Sequence, residues 1–286
     1  MNAKTQTAIE AVIGQRIARL RSCSGGDINA ATLASLDDGR DVFIKTNPQA
    51  SALPELFVAE ARGLVELKRA AVDTGLHVPE VLAVGDDFLV LQAIKEATPP
   101  QDFEERLGRG LAQLHRQSRG DRFGGDGARN YLGRWPQPNP AARNVVEFWA
   151  TARLEPMLRD LAAYPEVVKL GQQLLDVLDQ RLAGSEAESV LIHGDLWSGN
   201  ACADTQGRVW LYDPASFRAC REVEFGMTRL FGFGRRFEDA YQEVWPLPDG
   251  WEQRVEVYRL HHLMSHLWHF GGGYEAQCLS VLRTLV

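Results

Sequence analysis

The stretch that most constrains this chain is His193-Gly194-Asp195-Leu196-Trp197-Ser198-Gly199-Asn200, followed further on by Asp213-Pro214-Ala215. The apolar run Val190-Leu191-Ile192 predicts a short strand feeding a loop, so Asp195 stands at the loop's start and Asn200 five residues on. Ala201 to Asp204 and Arg208 to Tyr212 flank Thr205-Gln206-Gly207, which predicts a tight hairpin whose second strand returns Asp213 beside Asn200. Phosphoryl transfer requires a carboxylate that orients and deprotonates a hydroxyl, and oxygen ligands that hold magnesium against the β- and γ-phosphates. Asp195 is the candidate base; Asn200 and Asp213 are the candidate metal ligands. Singly, each is an ordinary loop residue. Strand, loop, Gly-turned hairpin and second aspartate together specify one kind of chemistry.

The upstream chain supplies matching parts in a matching order. A helix is expected from Thr5 to Leu20, with Ile9, Val12, Ile13 and Ile17 on one face. A glycine loop follows, where backbone N–H groups of Gly25, Gly26, Asp27 and Ile28 can approach phosphates. Ala30 to Leu36 and Asp41 to Thr46 read as strands joined by the turn Asp37-Asp38-Gly39-Arg40. Lys45 on the second strand is the candidate phosphate clamp, and Glu60, on a helix from Pro54 to Thr74, its ion-pair partner. Val81 to Val84 and Phe88 to Ile94 complete an expected five-stranded antiparallel sheet. Gln92, Ala93 and Ile94 then begin a hinge whose backbone would hold adenine. Pro99-Pro100 marks the exit from it. The expectation is an α+β, two-lobed, protein-kinase-like fold: residues 1–97 a nucleotide-binding lobe, residues 98–286 a mostly helical catalytic and acceptor lobe. In that second lobe, helices are expected over Gln101–Arg119, Val145–Ala163 and Pro165–Ala183, with an irregular segment from Gly120 to Asn144.

These residues carry a resemblance. The runs HGDLWSGN and DPASFRACREVEF, Phe231-Gly232-Phe233, the helix containing Tyr258 to His266, and Asn130-Tyr131-Leu132-Gly133-x3-Gln137-x-Asn139 resemble the fructosamine kinase (ketosamine 3-kinase) family. This is a branch of the aminoglycoside and choline kinase group. The resemblance extends to Phe43-Ile44-Lys45, Phe57-x-x-Glu60 and Leu111-Ala112-x-Leu114-His115, so it covers nearly the whole chain in order. It implies ATP and magnesium as cofactors and a ketosamine acceptor, small or protein-linked, phosphorylated on O3 in the course of deglycation. It places Asn130 and Gln137 near the acceptor and His266 as a pocket contact. Trp197, between the base and Asn200, has an aromatic face suited to a sugar ring. Glu222 and Glu224 are expected to brace the loop or to favour a helix N-terminus. Ser216 to Cys220 departs from the family's usual tyrosine, glycine and histidine, which bears on acceptor preference more than on chemistry. A kinase for aminoglycoside- or choline-type amines, or a silent nucleotide-binding protein, are the alternatives, since fold does not fix substrate.

Bulk properties are compatible with this reading. A chain of 286 residues that is 45% hydrophobic can bury a large core. Its net charge of −7 argues against a nucleic-acid binder. No uninterrupted apolar run long enough for a membrane span, and no signal-peptide core in residues 1–10, gives the expectation of a cytoplasmic protein without a membrane partner. Cys23, Cys202, Cys220 and Cys278 are scattered, without zinc or disulfide spacing. His262, His266 and His269 share a helical face but lack the further ligands of a zinc site.

Overall fold

The computed structural model describes residues 1–23, 29–125, 127 and 129–286; Gly25, Gly26, Asp27 and Ile28 of the expected phosphate loop lie outside them. Helix α1 (Ala3–Ile13) begins at Asn2, whose side chain accepts from the Thr5 N–H at 2.8 Å, and ends at Gly14 with φ +66°. A left-handed glycine is a strong helix stop, so the helix expected to reach Leu20 is cut short. Of its supposed apolar face only Ile9 is fully buried, while Val12 stands 60% exposed. The remainder forms strand β1 (Ile17–Cys23), antiparallel to β2 (Ala30–Leu36), which pairs with β3 (Asp41–Thr46). Helix α2 (Leu56–Ala70) follows, then β4 (Leu76–His77), β5 (Val81–Val84) and β6 (Phe88–Gln92). The sheet order β1-β2-β3-β6-β5 has the expected five antiparallel strands, but the fifth comes from the segment assigned to helix. Its inner face packs Leu36, Ile44, Phe88 and Val90 around Ile9, each such side chain contributing about 1.5–3 kcal/mol by burial.

Strand β7 (Glu96–Ala97) leads to α3 (Phe103–Gln117), whose first turn carries Glu104 and Glu105 and whose last carries His115 and Arg116, in line with the helix dipole. The segment read as irregular contains a hairpin, β8 (Arg129–Leu132) and β9 (Trp135–Pro138). The helix expected over Val145–Ala163 is α4 (Val145–Trp149) and α5 (Glu155–Asp160) joined by a π-helical turn at Ala150–Leu154, and the next is α6 (Pro165–Asp176) and α7 (Leu178–Arg181). The π turn places Arg153 fully inside, between the rings of Phe148 and Phe217, where it bonds Pro138 O and Asn139 Oδ1, both at 2.7 Å.

Strand β10 (Val190–Ile192), the hairpin β11 (Ala201–Asp204) and β12 (Val209–Leu211), and β13 (Phe217–Ala219) come next. Helices α8 (Glu224–Phe231), α9 (Arg235–Val244), α10 (Trp251–Phe270) and α11 (Glu275–Leu285) complete the chain. The hairpin is flanked by β4 and β7, giving the order β4-β12-β11-β7, and β10 pairs with β13. One apolar cluster runs across both lobes, from Phe57, Leu64 and Leu67 on α2 through Leu107 and Leu111 on α3 to Val209, Leu211 and Phe225. No helix among the described residues is long and apolar enough to cross a membrane.

Candidate active site

The loop after β10 is fixed from three sides before any catalytic side chain is considered. Gly194 has φ +81°, and a Cβ there would sit 2.3 Å from the Ala215 carbonyl oxygen, so only glycine fits the turn. The Ala215 N–H donates to His193 O at 3.0 Å, and the Tyr212 N–H to Asn200 O at 3.1 Å, sewing the loop to the segment that carries Asp213. The third side is Glu224, at the start of α8. Its two carboxylate oxygens accept from the N–H groups of His193 (2.6 Å) and Gly194 (3.0 Å). Burial alone would lift the Glu224 pKa, but the His115 contact, together with the His193 side chain and its N–H, holds it below the usual carboxylate value. His115 Nε2 lies 3.6 Å from Glu224 and its Nδ1 meets the Tyr241 hydroxyl at 2.8 Å. The bracing role for Glu224 is therefore realised. Glu222 instead forms a buried pair with Arg254, at 2.6 and 2.8 Å.

His193 itself is buried, and burial lowers its pKa, so the ring is neutral. It donates from Nε2 to Tyr212 O at 3.0 Å, which leaves Nδ1 to accept from the Asp195 N–H at 3.3 Å. One ring thus sets both the Asp195 backbone and the residue before Asp213.

Asn200 bridges the two aspartates. Its Nδ2 donates to Asp195 O at 2.8 Å, to Asp195 Oδ2 at 3.1 Å and to Asp213 O at 3.4 Å. With the amide nitrogen committed, the amide oxygen is turned away from Asp195. Asp213 adopts φ +59°, uncommon for a non-glycine residue and typical of strained functional positions. Its Oδ1 accepts from Lys45 Nζ at 2.6 Å, and Lys45 also reaches Glu60 Oε1 at 2.8 Å. Burial would lower the Lys45 pKa, but Asp213 and Glu60 more than offset it and keep the ammonium charged. Lys45 and Glu60 are buried, whereas the Asp213 carboxylate is 47% exposed. Asp195 is raised well above an ordinary aspartate by burial first and by the nearby Asp213 charge second.

Structure and sequence reading meet on Lys45, Glu60, Asp195, Asn200 and Asp213, which come together from β3, α2, the catalytic loop and the hairpin. At the hinge, Gln92 is engaged elsewhere: its N–H donates to Glu80 O at 2.9 Å and its Oε1 accepts from the Glu80 N–H at 3.3 Å. Ala93 and Ile94 follow, half-buried and without backbone partners among the described residues. Trp197 is 37% exposed and its ring lies over Gly199. Asn130 and Gln137, expected at the acceptor, are turned inward. Asn130 donates to Ser216 O at 2.8 Å and accepts from Gln137 at 3.3 Å, while Gln137 Oε1 meets His261 Nε2 at 3.2 Å. Their amides are spent on holding the chain just after Asp213, so they support the site instead of facing it. His266 packs against Phe231 with ring centres 4.9 Å apart and planes tilted by 44°, and the Phe231 carbonyl accepts from Ser198 Oγ at 3.1 Å. Sequence reasoning gave His115 and His193 no role. The available signal was a histidine on the buried face of an amphipathic helix and another at the mouth of the loop.

A buried lysine paired with a helix glutamate, and a loop aspartate facing an asparagine and a second aspartate, define a phosphotransferase of the protein-kinase-like class. The chain superposes on an aminoglycoside phosphotransferase, APH(4)-Ia, solved with ADP and hygromycin B, with a TM-score of 0.66 at 14% identity, over 99% of each chain. A likeness at that identity concerns the fold alone. Closer relatives narrow the class. The chain matches the fructosamine kinase description over residues 1–286 and belongs to that family. The protein-ribulosamine 3-kinase of Oryza sativa subsp. indica is 34% identical over 280 residues, 93% of this chain and 78% of the rice protein. The ketosamine-3-kinase of Mus musculus is 31% identical, over 91% of this chain and 93% of the mouse protein. A crystal structure of a family member from Thermobifida fusca gives a TM-score of 0.88 at 32% identity, over 100% of this chain and 99% of that one. The chain is an ATP-dependent phosphotransferase.

Proposed function

We propose that this chain transfers the γ-phosphoryl group of ATP to the O3 hydroxyl of a ketosamine, a sugar joined through C1 to an amine. The observation that carries the chemistry is the Asp195–Asn200–Asp213–Lys45 arrangement; the relatives' acceptor carries the substrate class. Asp195 orients the hydroxyl and takes its proton, O3 forms the bond to the γ-phosphorus, and the bond to the β–γ bridging oxygen breaks with its electron pair leaving on ADP. Lys45 meets the α- and β-phosphates while Glu60 holds it in place. The backbone of Ala93 and Ile94 supplies the adenine contacts, and Trp197 offers its face to the sugar. Phosphate on C3 is a leaving group: loss of a C1 proton gives the C1=C2 enaminol, which expels phosphate from C3 and leaves an imine at C1, and water then hydrolyses that imine to release the amine.

The donor set fits magnesium. Asn200 presents an amide oxygen and Asp213 an exposed carboxylate, hard ligands of the kind the ion prefers. No group of three or more His, Cys, Asp or Glu side chains poised for a metal occurs among the described residues. Magnesium held by one or two side chains and the nucleotide's own phosphates needs none. When bound, it neutralises charge on the β- and γ-phosphates.

The test is magnesium-dependent ATP consumption across ribulose-, erythrulose- and fructose-amine adducts, with aminoglycosides and choline alongside. Ketosamine-stimulated turnover, reduced about 10³-fold in Asp195→Asn, is the expected result. Turnover with aminoglycosides or choline only would keep the chemistry and discard the acceptor, and no turnover with any acceptor would leave a silent nucleotide-binding protein.

A further inference from the structure

A patch of aromatic side chains stands exposed beside the catalytic loop, apart from the Lys45–Asp195–Asn200–Asp213 arrangement. Phe231 is 39% and Phe270 55% exposed, unusual for rings of that size in one place. His266 joins them, with ring centres 4.9 Å from Phe231, 5.7 Å from Phe270 and 5.1 Å from Tyr274. The patch is anchored to the loop through Ser198, whose N–H and Oγ both reach the Phe231 carbonyl, at 3.4 and 3.1 Å. Ser198 is three residues from Asp195, within about 10 Å along the chain.

The wall is also neutral. None of its four residues carries a carboxylate, and burial favours the uncharged form of His266, whose Nδ1 donates to His262 O at 2.7 Å and whose Nε2 has no hydrogen-bond partner among the described residues. A polycationic acceptor would be met by carboxylates; an apolar group beside a single ammonium suits aromatic faces. O3 and the amine nitrogen of a ketosamine are four bonds apart, about 5 Å, so with O3 at Asp195 the amine's substituent projects beyond the base, and Ser198 ties the wall to that same loop.

We propose that Phe231, His266, Phe270 and Tyr274 form the subsite for the amine-borne portion of the acceptor, and that it selects apolar and aromatic amines over small hydrophilic ones. This rests on the ketosamine reading and adds to it the half of the substrate that reading leaves open. The occupant is assigned from the continuity of the wall with the catalytic loop.

The experiment compares kcat/KM for two adducts of the same ketose, one of phenylalanine and one of glycine, in the wild type, Phe270→Ala and Phe231→Ala. Both rings are well exposed, so the variants are expected to fold. The phenylalanine adduct should be preferred by about five- to tenfold, chiefly through KM, and the preference should fall toward one in both variants. Equal kcat/KM for the two adducts in the wild type, or a preference kept in both variants, overturns the subsite while leaving the ketosamine reading intact. Turnover of neither adduct removes that reading and the subsite with it. Light scattering on the same samples covers the rival occupant: a dimer that Phe270→Ala dissociates, with selectivity unchanged, assigns the face to a second copy of the chain.

Discussion

Asp195 has to act as a base while buried near a second carboxylate, and both circumstances favour its protonated form. Relative to the unfolded chain, where an aspartate titrates near 3.9, the folded protein holds this proton more tightly. Between those two pKa values the native state carries more protons than the unfolded state, so stability falls as pH rises. Asp195 therefore costs stability at neutral pH, as catalytic groups often do. Asp195→Asn should raise the melting temperature at pH 7 by the equivalent of about 1 kcal/mol, with an advantage that shrinks as pH falls toward 4. Thermal unfolding of both proteins across that range checks it, and a variant less stable at pH 7 would contradict it. The residues with chemistry were legible because their types and spacing are set by the reaction. Asn130 and Gln137 were legible only as positions, since which way an amide points depends on Ser216 and His261, brought in from distant parts of the chain.

Among the elements, the catalytic loop depends most on a residue outside it. Glu224 satisfies two buried N–H groups, those of His193 and Gly194, and no other side chain among the described residues accepts from them. Glu224→Ala should lower stability by about 2–4 kcal/mol, because buried donors left without partners each cost about 1–3 kcal/mol. It should also reduce kcat more than nucleotide affinity, since Lys45 keeps its Glu60 partner on α2 even where its second contact, Asp213, is disturbed. Chemical denaturation together with nucleotide titration would separate these effects; an unchanged midpoint would contradict the bracing role. Most elements were readable from hydrophobic period and turn residues. Strands β2 and β3 have the expected bounds, and α2 and α3 differ only at their ends. The largest departure was at the N-terminus, where Ile9, Val12, Ile13 and Ile17 happen to fall at helical spacing. Gly14 and an edge strand with most side chains in solvent carried little apolar signal to oppose it.

At the scale of the molecule, a shared apolar cluster joins the sheet lobe to the helical lobe, and the candidate site lies where they meet. Lys45 and Glu60 come from the first lobe, and Asp195, Asn200 and Asp213 from the second. The order of parts along the sequence was enough to anticipate the two-lobed class, because each catalytic side chain sits on a specific kind of element. The packing between lobes was not, since β4 and β7, two residues each, join the hairpin sheet through partners more than a hundred residues away. The central claim is that this assembly phosphorylates a sugar hydroxyl of a ketosamine. Its most direct test is a phosphorus–proton correlation spectrum of the product formed from ATP, magnesium and a ribulose–lysine adduct. The account predicts a phosphate monoester coupled to the proton on C3; ATP consumed to ADP and free phosphate alone, with the adduct unmodified, would contradict it.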